Sequence, residues 1–187
     1  ELRMNTYITL LRGINVGGNK KIKMEDLRNY CESIGATEVS TYIQSGNIVF
    51  RHPDTDLQGI AQSIGIEIEK RSGFTAWVVV FPLDYWQKVI AEFPFSHIND
   101  LNPSRTLVVF YEHPLSTEHL QAIDAIDLKN DLSVVKEKTQ YIYCPDGISN
   151  SPLADATLQK KIKIENTSRN WRTVLKLEEM ASQISLG

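Results

Sequence analysis

The sequence predicts an α+β protein with two ferredoxin-like (α/β-plait, βαββαβ) subdomains in tandem and a C-terminal helix. In the first half, apolar residues follow strand and helix spacing in the order strand, helix, strand, strand, helix, strand. A less regular version of this order begins again after His97–Pro103, a stretch of linker-like composition. We therefore expect a first subdomain with a connecting helix over residues 4–96, and a second, degenerate subdomain with the C-terminal helix over residues 104–187.

Local patterns define the elements of the first half. Gly35 is expected to end the first helix, and Ser45-Gly46-Asn47 suits a tight hairpin turn, because glycine and asparagine tolerate a positive φ. Asp54 or Thr55 is expected to cap a second helix that Gly73 ends. The predicted elements are, in order, a strand over 6–11, a helix over 24–34, strands over 38–44 and 48–51, the capped helix, a strand over 74–81 and a connecting helix from Leu83 to Phe93.

The second half contains comparable signals. Ser116 is a suitable helix cap, and Ser151-Pro152 is a good helix start, because proline in the first turn loses no hydrogen bond. In the final helix, Trp171, Val174, Leu175 and Ala181 are expected to face inward. The predicted elements are a strand over 105–111, the helix after Ser116, a hairpin of 132–136 with 140–144, the helix after Ser151, a short segment over 164–166 and the final helix.

Composition indicates a globular, cytoplasmic protein. The chain has 187 residues, of which 42% are hydrophobic, and its formal net charge is −3. The sequence shows neither a secretory signal nor an apolar run near the roughly 20 residues that a transmembrane helix needs, so a membrane partner is not expected. Cys31 and Cys144 are too far apart for a Cys-x-x-Cys motif and are expected to be buried, reduced thiols. Neither a metal site nor a cofactor is predicted.

The charge is distributed unevenly. Residues 12–28 contain five basic and two acidic side chains, and residues 160–176 contain six basic and one acidic. The remaining sequence is therefore strongly acidic. We expect a basic face, provided that the two segments meet in space.

The first basic segment contains a glycine-rich loop after a strand, which is typical of anion sites. It differs from a Walker phosphate loop, because Asn19 occupies the position of the essential lysine and Ser or Thr does not follow. A looser anion site is the prediction, and solvated lysines beside a tight connection are the alternative. The candidate ligands are Arg12, Asn15, Gly17, Gly18, Lys20, Lys21 and Lys23.

The second basic segment precedes the final helix. If Thr167 or Ser168 caps this helix, Arg169 and Arg172 fall in its first turn, where cations are unfavourable unless an anion neutralises them. Together with Asn170, these four residues complete the predicted anion site. The alternative is that the arginines pair with acidic groups of the same chain while Trp171 packs in the core.

Catalytic motifs are weak. His52, His97, His113 and His119 lack metal-ligand spacing, and Gln44-Ser45-Gly46 lacks the first glycine of a nucleophile elbow. Asp146 beside Gly147 is typical of a turn. Tyrosines on the predicted strands favour sheet packing over base stacking, since an RNP-like motif is absent.

Four motifs resemble a bacterial family known only as a domain of unknown function. They are LLRGINVGG (10–18), TYIQSGN (41–47), PDGI (145–148) and RNWRTVLKL (169–177). The resemblance spans nearly the whole chain and implies two α/β-plait subdomains, but it implies no activity, substrate or cofactor. The motif positions able to do chemistry are Arg12, Asn15, Gln44, Ser45, Asn47, Arg169, Asn170 and Thr173. Family members often have Ser-Lys-Leu where this chain has Ser151-Pro152-Leu153, so the loop after PDGI is left out of the predicted site.

The leading functional hypothesis is a module that binds a phosphate-bearing ligand, either a nucleotide or a nucleic acid, where the two basic segments meet. One alternative is an enzyme acting on a small phosphorylated metabolite, with Asn15, Ser45 or Asn170 orienting it. Another is a protein-interaction or structural module with an unknown partner. The sequence leaves open whether the protein catalyses a reaction.

Overall fold

The computed structural model describes residues 2–154 and 161–186, and the chain forms two compact units. Unit 1 comprises Glu1–Ile90 and Leu175–Gly187, and unit 2 comprises Ala91–Val174. Each unit contains one four-stranded antiparallel sheet, and the described residues form five α-helices in all. The predicted α+β class is therefore confirmed. The units differ from the predicted subdomains, because the chain leaves unit 1 after Ile90 and returns to it at Leu175.

Unit 1 is built around β1 (Asn5–Arg12), which pairs with both β3 (Asn47–His52) and β4 (Trp77–Pro82). With β2 (Thr37–Thr41) beside β3, the sheet has the order β2-β3-β1-β4. Tyr7 and Leu11 share one face of β1 and belong to a buried apolar cluster with side chains of two helices, Leu27 and Ile64 among them. The elements of unit 1 before its return segment are β1 (Asn5–Arg12), α1 (Met24–Ser33), β2 (Thr37–Thr41), β3 (Asn47–His52), α2 (Leu57–Ser72), β4 (Trp77–Pro82) and α3 (Leu83–Ala91), whose last residue lies in unit 2.

The ends of α2 show how local chemistry sets its length. Asp56 is the N-cap, and its side chain accepts a hydrogen bond from the Gly59 N–H, so the predicted cap at Asp54 or Thr55 is wrong by one or two residues. Gly73 ends the helix in the left-handed conformation (φ 81°), as predicted.

In unit 2, β5 (Thr106–Tyr111) lies between β7 (Thr139–Tyr143) and β8 (Asn166–Asn170), and β6 (Leu132–Lys136) pairs with β7. The strand order is therefore the corresponding one, β6-β7-β5-β8. Its α4 begins with a capping box, in which the Ser116 hydroxyl accepts from the His119 N–H and the His119 ring accepts from the Ser116 N–H. Val109, Ile123, Ile142 and Leu153 belong to its buried apolar cluster. The elements are β5 (Thr106–Tyr111), α4 (Thr117–Asp124), β6 (Leu132–Lys136), β7 (Thr139–Tyr143) and β8 (Asn166–Asn170), followed by α5 (Trp171–Ser185), which continues into unit 1.

Two predictions near the C-terminal end need correction. The last strand is β8 rather than a short segment over 164–166, because Val108 and Val109 pair with Arg169 and Ser168. Leu175 is 41% exposed and does not face inward, whereas Trp171, Val174 and Ala181 are buried as predicted. A 3-10 turn covers Pro152–Ala154, and the predicted helix beyond it, with Lys160, lies outside the described residues.

Within residues 2–154 and 161–186, we find no helix of the length and apolarity that crossing a membrane requires. Both cysteines are buried and free of disulfide bonds, as predicted.

Candidate functional site

The glycine-rich loop folds into a small hairpin. Gly17 (φ 59°) and Gly18 (φ 78°) form the turn, in which the Asn19 N–H donates to the Val16 carbonyl at 3.1 Å. The Asn15 N–H donates to the Lys20 carbonyl at 3.1 Å and closes the hairpin. A Cβ at either glycine would meet no atom within 4 Å, so the turn needs glycine for its backbone conformation and not for close packing.

Asn15 anchors this hairpin to the rest of unit 1. Its Nδ2 donates to the carbonyls of Ile22 at 3.1 Å and Gln44 at 3.0 Å, and its Oδ1 accepts from the Ile22 N–H at 2.9 Å. The Asn15 side chain thus supports the loop, and both of its N–H donors have protein acceptors.

The β2–β3 turn supports the same loop. The Leu11 N–H donates to the Gly46 carbonyl at 2.8 Å, and the buried Asn47 side chain donates to the Tyr42 carbonyl and to the Ser45 hydroxyl. A Cβ at Gly46 would lie 2.8 Å from the Leu11 Cβ, so glycine is required there. The LLRGINVGG and TYIQSGN motifs are therefore joined by hydrogen bonds and closely packed against each other.

An open polar cleft of about 760 Å³ lies beside the hairpin within unit 1. Lys21 and Lys23 line one side of it, and Arg71, at the C-terminal end of α2, also lines it. The lining includes one carboxylate, Asp26, together with the neutral side chains of Tyr30, Gln44 and Ser72. Three cations and one carboxylate line the cleft, and the pairing of Arg71 with Glu67 at 3.5 Å offsets part of this excess, so the positive charge comes mainly from Lys21 and Lys23.

Arg71 is held in place by three neighbours. Its Nη1 lies 3.5 Å from the Glu67 carboxylate and donates to the Ser33 hydroxyl at 3.1 Å, and its guanidinium carbon lies 4.6 Å from the centre of the Tyr30 ring. The Tyr30 and Ser72 hydroxyls are hydrogen-bonded at 2.7 Å. The sequence prediction missed Arg71, and the one signal for it was a basic pair in the last turn of α2, where cations are ordinarily placed to complement the helix dipole.

The start of α1 also faces this cleft. Its N-cap residue is Lys23, whose side chain makes no capping hydrogen bond, and Met24 and Asp26 of the first turn line the cleft. Lys20 points elsewhere, because its ammonium donates to the Thr75 carbonyl at 3.2 Å. Of the predicted loop cations, Lys21 and Lys23 therefore reach the cleft, and Arg12 is exposed on the end of β1.

The second predicted segment, in unit 2, has a different local structure from the one expected. The cap of α5 is Asn170, whose Oδ1 accepts from the Thr173 N–H at 2.9 Å, so neither Thr167 nor Ser168 caps the helix. Arg169 lies in β8 and not in the first helical turn, whereas Arg172 is in that turn and exposed.

Arg169 has partners within its own strand. Its Nη1 donates to the Thr167 hydroxyl at 2.6 Å and to the Ser168 carbonyl at 2.8 Å. Burial lowers the pKa of Arg169 to about 10, which leaves the guanidinium charged at neutral pH.

Two of the residues considered for catalysis also have structural partners. The His52 Nε2 lies 2.9 Å from the Ile34 carbonyl, and its Nδ1 accepts from the Asp54 N–H at 3.1 Å. His119 belongs to the capping box of α4. In the parts of the chain that the structure describes, no three His, Cys, Asp or Glu side chains are grouped to hold a metal ion.

The fold and this cleft define the class: an α+β protein with two four-stranded antiparallel sheets and a basic cleft beside a glycine-rich hairpin. The chain belongs to the family described as proteins of unknown function DUF1697, whose model matches residues 4–141. It is also similar to the solved structure of a conserved bacterial protein from Streptococcus pneumoniae, with 25% identity over 96% of this chain and 99% of that chain, and a TM-score of 0.75. A comparison with curated proteins gives no significant match.

Proposed function

We propose that the protein binds a phosphate-bearing ligand, a nucleotide or a nucleic acid, in the basic cleft of unit 1. The observation that carries this proposal is that Lys21, Lys23 and Arg71 line one open polar cleft together with the first turn of α1. Ammonium groups, an arginine fork and the N–H groups at a helix start are the donors that phosphate oxygens favour.

The cations have different parts in this proposal. Lys21 and Lys23 are exposed on the hairpin side and can follow a ligand, since a lysine ammonium rides on a flexible stem. Arg71 is already oriented by Glu67, Ser33 and Tyr30, so less conformational entropy is lost when it binds. The glycine turn keeps the loop compact beside α1.

The second segment, with Thr167, Ser168, Arg169, Asn170 and Arg172, remains part of the proposal as a separate prediction. Arg172 is its exposed cation, and Asn170 and Thr167 have the structural partners described above. That this segment and the glycine-rich loop serve one ligand also stays a prediction.

The test uses labelled single-stranded RNA and labelled ATP as probes. We expect the double variant Lys21→Ala/Lys23→Ala to bind the better probe about tenfold more weakly than the wild type, and the dependence of binding on salt to become shallower. The matched control is Lys70→Ala/Lys88→Ala, which removes two exposed lysines outside the cleft lining and should keep most of the affinity. Equal losses in both double variants, or binding that salt does not affect, would contradict the proposal.

Arg71→Ala tests the fixed cation, and Arg169→Ala/Arg172→Ala tests the second segment. Weaker binding of the probe by Arg71→Ala, with unchanged binding by Arg169→Ala/Arg172→Ala, would indicate that the ligand lies in the cleft. Weaker binding by Arg169→Ala/Arg172→Ala would support a role for the second segment as well. Unchanged binding by this double variant would exclude the second segment from the site.

We also infer that both units are ferredoxin-like plaits. The support is that β2-β3-β1-β4 and β6-β7-β5-β8 are the same order when each sheet is numbered from its own first strand. In addition, unit 1 has its helices after its first and third strands, as a βαββαβ unit requires.

A further inference from the structure

We propose that unit 2 contains a second binding site, which takes an uncharged, mainly apolar small molecule with a carbonyl acceptor. The site is a pocket of about 320 Å³ against its sheet. The described residues that line it belong to unit 2, and none of these lines the basic cleft. Ser168 is shared with the second segment of the proposed phosphate site, but the inference rests on the pocket alone and does not need phosphate binding.

The sheet forms the apolar base of the pocket. Leu107, Val109 and Tyr111 alternate along β5, so their side chains lie on one face of the sheet. Ile142 of β7 lines the same pocket, as does Leu153 from the 3-10 turn after β7. Such a lining favours an apolar body, because burying its surface is the main source of affinity.

Gln140 provides the polar contact at this base. Its side chain is 3% exposed, its Oε1 accepts from the Tyr111 hydroxyl at 2.7 Å, and its Nε2 donates to the Ser133 hydroxyl at 2.8 Å. These bonds fix the orientation of the amide and use one of the two N–H donors on Nε2. The second N–H can donate to an acceptor on the ligand, and a carbonyl oxygen suits it.

Charge argues for a neutral ligand. The described residues that line the pocket include no Asp, Glu, Lys, Arg or His. Burial raises the pKa of the Tyr111 hydroxyl to about 12 and also raises the pKa of the Cys144 thiol, so both groups stay neutral at physiological pH. Moving an ion into such surroundings without a partner is expensive, whereas a neutral molecule avoids this cost.

The size of the pocket limits the molecule. Ligand pockets commonly measure about 300–1,000 Å³, so about 320 Å³ is at the small end of this range. A neutral compound of one to three rings or a short acyl chain fits this description, and a nucleotide with its charged phosphates does not.

The experiment compares two fluorescent probes with the same aromatic skeleton. N-phenyl-1-naphthylamine is neutral, and 8-anilinonaphthalene-1-sulfonate carries a negative charge. We expect the neutral probe to bind the full chain saturably, with one site per chain and enhanced emission. A neutral cyclic ketone, such as a tetralone, should compete with it.

Substitutions at the rim test whether the probe binds in the pocket. Ala154 and Ser168 are exposed residues on different elements that both line the pocket. Ala154→Phe and Ser168→Phe should each weaken binding of the neutral probe about tenfold. The matched control is Ala125→Phe, at an exposed alanine of unit 2 outside the lining, and it should bind as the wild type does.

Two results would overturn the proposal: non-saturable binding of the neutral probe, or equal affinity in the rim variants and the control. Tighter binding of the sulfonate, reduced by Lys21→Ala/Lys23→Ala and unaffected by Ala154→Phe, would also count against it and would point to the basic cleft instead. Circular dichroism of each variant checks that the fold is intact. Because the two rim positions are on different elements, the second variant still tests the proposal if the first one does not fold.

Discussion

Thr9 places a hydroxyl group in the apolar interior of unit 1. The residue is 0% exposed and pairs with Ile48 of β3 on one side and Val80 of β4 on the other. Its Oγ1 has no hydrogen-bond partner among the described residues. A buried hydroxyl without a partner lowers stability, because it loses its bonds to water and gains none in the protein.

We therefore expect Thr9→Val to raise the free energy of unfolding by about 1 kcal/mol, as measured by urea denaturation. The matched control is Thr106→Val in unit 2. Thr106 is also 0% exposed, but its hydroxyl donates to the Asn102 carbonyl at 2.9 Å, so the same substitution should lower stability. A loss of stability in Thr9→Val equal to that of the control would show that the Thr9 hydroxyl is in fact satisfied.

Cys31 links stability to alkaline pH. Burial raises the pKa of its thiol from 9.0 to about 12, with a smaller contribution from the charge of Glu32. The folded state therefore holds the proton where the unfolded state has already lost it. The free energy of unfolding keeps this contribution below pH 9 and loses it as the pH rises towards 12.

This coupling can be measured by following the melting temperature from pH 8 to pH 11 for the wild type and for Cys31→Ala. The alanine variant should be less stable throughout, because it leaves a small cavity, but its melting temperature should fall less steeply above pH 9. Parallel curves would mean that the Cys31 thiol does not govern the alkaline slope.

At the scale of elements, the two interlocked loops of unit 1 contain glycines with different requirements. Gly46 has φ 79°, and a Cβ there would lie 2.8 Å from the Leu11 Cβ and 3.0 Å from the Leu11 carbonyl oxygen. Gly17 has φ 59° with open space around it. The first position combines backbone strain with a steric clash, and the second has backbone strain alone.

We expect Gly46→Ala to lower the free energy of unfolding by about 3 kcal/mol, and Gly17→Ala by about 1 kcal/mol. Chemical denaturation of the two variants provides the comparison. Similar losses at both positions would show that the β2–β3 turn relaxes around the added methyl group.

Periodicity predicted most of the strands and helices, since alternation and helical spacing record which side of an element is buried. It failed for β8, because Asn166–Asn170 consists of polar residues, of which Thr167 is the buried one, and forms a strand by pairing with β5. The misplaced cap of the final helix followed from this error. For the site, the sequence indicated Lys21 and Lys23, but Arg71 is distant in the chain and reaches the cleft only through packing of α2.

At the scale of the whole molecule, α5 contributes to both units. Trp171 stacks on Phe93 in unit 2, with ring centres 3.9 Å apart. Farther along α5, the side chains of Glu178 and Ser185 are hydrogen-bonded to Gln87 and Thr6 of unit 1. The amphipathic pattern of this helix predicted most of its buried face correctly, with the exception of Leu175, but a pattern along one helix does not specify which unit that face belongs to.

We expect Leu177→Ala to lower the stability of unit 1 by about 2–5 kcal/mol, because Leu177 is 0% exposed and belongs to that unit. Hydrogen exchange should show faster exchange of amides in β1 and α3, because Thr6 and Gln87 of these elements are hydrogen-bonded to α5. The control is Leu175→Ala on the same helix, where the side chain is 41% exposed and the expected loss is below about 1 kcal/mol. Unchanged exchange in β1 and α3 would show that their protection is independent of α5.

The return of the chain to unit 1 at Leu175 also bears on how the protein is made. A nascent chain emerges from the ribosome in order, and domains usually fold as they emerge. Here the strands of unit 1 are translated first, yet the helical segment that completes this unit is translated after all of unit 2. During translation, unit 1 can therefore complete its structure only after Leu177 and Ala181, the fully buried residues of its returning helix, have left the ribosome.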